Sequence, residues 1–150
     1  MIRRTAGLAL GLLCVSSCLM AASLPGFSAQ DLVNMDRISD PQPSPDGESI
    51  AFVRRQTDME ADKGRTDIWM IDATGANLRR VTKHEASDSS PRWSADGRNI
   101  YFLSSRSDSS QVWQVRADGE DLKQVTDLPL DVSGFVLSPD GASLALALDV

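Results

Sequence analysis

The strongest constraint on this chain is a pattern that restates itself. Three turn segments align: Ser44-Pro45-Asp46-Gly47, Ser94-Ala95-Asp96-Gly97 and Ser138-Pro139-Asp140-Gly141. The first two are 50 residues apart and the last two 44 apart. The 44-residue offset also carries Trp69 onto Trp113, Gly75 onto Gly119, and Val81-Thr82 onto Val125-Thr126. The six extra residues of the first repeat fall between Asp46 and Trp69, where the polar stretch 58–66 predicts one inserted loop. A fixed period of this size marks a chain built from stacked copies of one small unit.

Each unit reads as four short strands. Pro91-Arg92-Trp93-Ser94 leads into the Asp-Gly turn. Ile100-Tyr101-Phe102-Leu103 follows it, matched by Ile50-Ala51-Phe52-Val53 and Leu144-Ala145-Leu146-Ala147. Val112-Trp113-Gln114-Val115 matches Ile68-Trp69-Met70-Ile71, and Leu122-Lys123-Gln124-Val125-Thr126 matches Leu78-Arg79-Arg80-Val81-Thr82. Short β-branched and aromatic runs between regular turn residues predict an all-β fold. Ser, Pro and Gly at the first, second and fourth turn positions suit a type I turn, with Gly free to turn left-handed.

A four-stranded unit of roughly 40 to 45 residues has the size of a propeller blade, and blades bury their faces only against neighbours. The expected fold is therefore all-β, a partial β-propeller of four-stranded antiparallel blades. Two blades are complete, at residues 41–82 and 88–126. A third covers 132–150 with two strands, so the chain is expected to end inside a blade. Residues 24–40 form a lead-in, in which Ser28-Ala29-Gln30-Asp31 resembles a capping box before one short helix.

Residues 1–23 read as a signal peptide. Arg3 and Arg4 precede an apolar run from Ala6 to Val15, too short to span a bilayer, and small residues follow. Cleavage is expected after Ser23. The alternative is Val15-Ser16-Ser17-Cys18 read as a lipobox, with a lipid anchor on Cys18. Both cysteines, Cys14 and Cys18, lie in this segment, so the exported chain has no disulfide, Cys-ligated zinc or cysteine nucleophile. The net charge of −6 becomes −8 once Arg3 and Arg4 are removed, and such a surface repels nucleic acid. The chain is expected in the periplasm or outside the cell.

No catalytic, cofactor-binding or metal-ligating residue is assigned. There is no G-x-S-x-G elbow, and His84, the single histidine, falls in a polar loop after a fourth strand. Asp58-Met59-Glu60-Ala61-Asp62 begins like a calcium loop, but Gly64 comes one place late and Trp69 stands where the bidentate Glu belongs. Trp69 and Trp113 recur at the repeat period and read as blade core. Arg54-Arg55 and Arg79-Arg80 read as strand-end or edge charges that discourage edge pairing.

Several stretches together resemble the N-terminal region of the prolyl oligopeptidase family of serine peptidases, in its bacterial exported dipeptidyl-peptidase and acylaminoacyl-peptidase-like branch. They are Phe27-Ser28-Ala29-Gln30-Asp31-Leu32, the run from Arg37 to Gly47, Thr66-Asp67-Ile68-Trp69, Ser89-Ser90-Pro91-Arg92-Trp93-Ser94, Ser104-Ser105-Arg106 with Gln111-Val112-Trp113, and Val125-Thr126-Asp127-Leu128-Pro129. The resemblance implies a propeller that limits entry of short peptides to a C-terminal α/β-hydrolase domain with a Ser-Asp-His triad. That domain would lie beyond Val150. The second reading is a binding module like the periplasmic propellers of the Tol translocation system, against which stands the short lead-in. Sugar or lactone enzymes built on propellers are a further alternative.

Overall fold

The computed structural model describes residues 26–149. The expected signal peptide, with Cys14, Cys18 and the cleavage position, lies outside the described residues.

The chain begins with α1 (Ala29–Asn34). Its Ser28 hydroxyl accepts from the Asp31 amide while the Asp31 carboxylate accepts from the Ser28 amide, a complete capping box. Four strands follow in sequence order as one antiparallel sheet: β1 (Arg37–Pro43), β2 (Ser49–Asp58), β3 (Lys63–Asp72) and β4 (Arg79–Arg80). A second sheet repeats the order with β5 (Asp88–Trp93), β6 (Asn99–Ser104), β7 (Gln111–Arg116) and β8 (Lys123–Gln124). The pair β9 (Val132–Leu137) and β10 (Leu144–Leu148) begins a third. All-β blades of a propeller, two of them four-stranded, are therefore present as expected.

Three details differ from the sequence reading. The first strand starts at Arg37, ahead of the expected Pro41, because Asp36 bonds Arg54 and extends the ladder to Arg37 opposite Arg55. The six-residue excess is not a loop. It lengthens β2 and β3 into a two-stranded arm in which Gln56 faces Arg65 and Asp58 faces Lys63, closed by a turn over residues 59–62. The fourth strands shrink to two residues each. Beyond them the Val81 and Thr82 amides both donate to the Ile68 carbonyl, and Val125 and Thr126 do the same to Val112.

The Asp-Gly turns are built alike in all three blades. The Gly47 amide donates to the Ser44 carbonyl at 2.9 Å, with equivalents at Gly97 and Gly141. The Ser44 hydroxyl accepts from the Ser49 amide, and the Asp46 carboxylate accepts both from that hydroxyl and from the Glu48 amide. Gly47, Gly97 and Gly141 all have φ near +70° (72°, 70° and 69°), which is why glycine recurs.

Two apolar clusters hold the blades together. Ala51, Val53, Ile68 and Met70 of the first sheet meet Ile100, Phe102 and Val115 of the second, with Val81. Leu103 and Val112 meet Val132 and Phe135 across the next seam. Phe102, Ile68 and Ile100 are fully buried, and burying one such side chain stabilises by about 1.5–3 kcal/mol. β1 packs on β5, whereas β4 and β8 form the opposite edges of their sheets. Residues of β1, β5 and β9 line one shared hollow, so the first strands lie where the blades converge.

Candidate functional site

Trp69 and Trp113 occupy equivalent settings, opposite Phe52 and Phe102 respectively. Each carries an arginine on its ring: the Arg54 guanidinium lies 4.2 Å from the Trp69 centroid and that of Arg106 5.1 Å from Trp113. Each arginine is bonded to an aspartate, Asp36 for Arg54 and Asp88 for Arg106, the latter through two bonds of 2.8 and 2.7 Å. The side chains of Arg106 and Asp88 are 5% and 0% exposed. Arg54 is thus not an edge charge, as the sequence suggested, and Arg80 lies on the edge strand β4 but is bonded inward. Arg54 stacks on half-buried Trp69 and Arg80 pairs with buried Asp67 at 2.6 Å.

The residues tested for chemistry stay apart. His84 is exposed, and its Nδ1 accepts from the Ala86 amide two residues on. The Asp58 carboxylate accepts from the Ala61 amide and from Arg65, inside its own arm. Among the described residues no three potential metal ligands cluster. The turn carboxylates of Asp46, Asp96 and Asp140 are held below the ordinary carboxylate range, first by the Ser44, Ser94 and Ser138 hydroxyls and then by the amides of Glu48, Arg98 and Ala142.

The place where chemistry varies is the converging edge. Gln42, Arg92 and Val136 hold one register in successive blades, opposite Ala51, Tyr101 and Ala145. In the first two blades a bulge precedes this position, with Asp40 and Ser90 at φ of 48° and 54°. A bulge turns the next side chain out of the regular alternation. Gln42, Arg92 and Val136, with Pro43, Trp93, Phe135 and Leu137, line one cavity of about 280 Å³. Asp40 organises its polar side, accepting from Gln42 Nε2 at 2.6 Å and from Arg92 Nη1 at 2.8 Å. The Trp93 indole donates to the Gln42 carbonyl at 2.9 Å and ties the blades together there. Sequence reading passed over this constellation, although the repeat offset alone aligns Arg92 with Val136.

The family profile described as TolB beta propeller domain matches residues 25–149. The chain belongs to that family. Among curated proteins it is 32% identical over 125 residues to an uncharacterized peptidase, YuxL, of Bacillus subtilis, covering 83% of this chain and 19% of that one. It is 28% identical to dipeptidyl-peptidase 5 of Porphyromonas endodontalis over 79% of this chain and 17% of the other. A shorter match, 39% identical over 57 residues, is to the Tol-Pal system protein TolB of Bordetella pertussis, covering 37% of this chain and 13% of that one. In fold the chain is similar to Pyrococcus horikoshii acylaminoacyl peptidase, with a TM-score of 0.61 at 21% identity over 77% of this chain and 17% of the other. The chain thus spans about a fifth of the length of the curated peptidases it matches. The propeller region of peptidases in the prolyl oligopeptidase family is what it shares with them.

Proposed function

We propose that this chain is the propeller region of an exported serine peptidase acting on oligopeptides or dipeptides, and that the propeller selects substrates by admitting short peptides. The observation that carries the reading is the match to peptidases along almost the whole described chain. Within this stretch the lone histidine lies exposed in a loop, so acyl transfer by a Ser-His-Asp arrangement falls to residues outside it. The propeller contributes access and binding. Among the described residues no helix is long and apolar enough to cross a membrane.

The test is a serine-directed fluorophosphonate probe applied to the product of the complete gene. Labelling at a single serine, with hydrolysis of unstructured peptides and no cleavage of folded proteins, is the expected result. Absence of both labelling and peptide hydrolysis would overturn the reading. The match to TolB of Bordetella pertussis favours one alternative, a binding module. That alternative predicts an unlabelled protein in a stable complex with another exported protein.

A further inference from the structure

We infer that the inner-edge cavity between Arg92 and Val136 binds the C-terminal carboxylate of a peptide together with that residue's apolar side chain. The inference rests on the peptide-admitting role proposed above and names the part of the peptide that is read.

Ser, Asp and Gly recur in the turns, and Trp recurs in the third strands, because each blade needs them to fold. The register of Gln42, Arg92 and Val136 is not held constant, and its chemistry changes from amide to guanidinium to isopropyl. Arg92 spends only Nη1 inside the protein, on the Asp40 carboxylate at 2.8 Å and the Pro91 carbonyl at 2.7 Å. Its Nε and Nη2 donate to nothing among the described residues. Those two groups share one edge of the guanidinium, the fork that takes a carboxylate through two parallel hydrogen bonds. Asp40 fixes the plane of that fork.

The rest of the lining is Gln42, Pro43, Trp93, Phe135, Val136 and Leu137, with Phe135 and Leu137 also packed into the seam behind it and Val136 the exposed apolar side chain. A carboxylate donor-fork beside an apolar wall matches a group that carries both features on one carbon. The last residue of a peptide does so, since its carboxylate and side chain leave the same Cα. A cavity of about 280 Å³ holds one such residue and not a folded domain. A Glu or Asp side chain would satisfy the fork but leave the wall unfilled.

The experiment uses the full-length protein, treated with fluorophosphonate so that no peptide is consumed, and fluorescence anisotropy of N-terminally labelled tetrapeptides. Ala-Ala-Ala-Leu as the free acid should bind at least tenfold tighter than its C-terminal amide. Ala-Ala-Ala-Glu amide should bind no better than the Leu amide. Arg92→Gln should erase the acid preference, Arg92→Lys should retain part of it, and Val136→Asp should weaken both ligands, the free acid at least tenfold and the amide by less. Equal affinity for acid and amide, an acid preference that survives in Arg92→Gln, or a Glu amide that binds as the free acid does would each overturn the inference. The two proposals separate cleanly. An unlabelled protein that still prefers the acid overturns the peptidase reading alone. A labelled, hydrolytic protein without the preference overturns only this site.

Discussion

The turn aspartates show how much a repeat can demand of one side chain. Asp96 accepts from the Ser94 hydroxyl at 2.6 Å and the Arg98 amide at 3.1 Å, and both bonds favour its ionised form. Its pKa is lowered in the folded state from an unfolded value near 3.8. The native carboxylate therefore stabilises fully above that value, and the contribution is lost as pH falls below it toward the depressed native value. Asp46 and Asp140 behave alike. The urea midpoint should fall as pH drops from about 5 to about 3, and Asp96→Asn, which keeps the acceptor oxygen, should flatten that dependence. Gly47 makes a second case. Its φ is +72° and an added methyl would meet nothing within 4 Å. Gly47→Ala should therefore cost only the left-handed penalty of about 1 kcal/mol, read as a shift in the urea midpoint at unchanged slope.

At the scale of strands and seams, periodicity was legible and long-range pairing was not. The Trp69 and Trp113 offset placed both third strands correctly, and the Ser-x-Asp-Gly motif placed every first hairpin. The early start of β1 depends on Asp36 reaching Arg54, 18 residues away, which leaves no local mark. The arm of β2 and β3 was hidden because its residues are polar on both faces, so no alternation signalled a strand. The Arg106–Asp88 pair, like Asp36–Arg54, joins residues 18 apart and leaves no local mark, and its burial makes it sensitive. Asp88→Ala leaves a guanidinium buried without its anion and should cost about 3–5 kcal/mol. Phe102→Ala, at 0% exposure in the seam between the first two blades, should cost a similar 3–5 kcal/mol or so. Chemical denaturation of either variant checks the expectation, and a loss below about 1 kcal/mol would contradict the seam as described.

For the whole molecule, what matters is which faces have a neighbour. The outer face of the first blade presents Ile38, Pro41, Ile50, Phe52, Ile71 and Leu78 around a hollow of about 450 Å³. On the third blade, Leu146 and Leu148 are 36% and 40% exposed. A stacked array protects such faces with further copies of the unit, and contiguous exposed apolar surface drives association. Residues 24–150 expressed by themselves should therefore self-associate, with sedimentation that depends on concentration. A monomer with one cooperative melt would contradict this. The candidate site shows the limit of sequence reading at this scale. Gln42, Arg92 and Val136 lie in three different units, and only the convergence of first strands brings them to one cavity.

Each of the first two sheets takes all four strands from one uninterrupted stretch, and the joints at 83–87 and 127–131 carry none of the sheet pairing. A gene duplication or deletion with breakpoints in those joints would add or remove an entire sheet without severing a ladder. Lineages descended from such a chain could change the number of blades in single genetic steps.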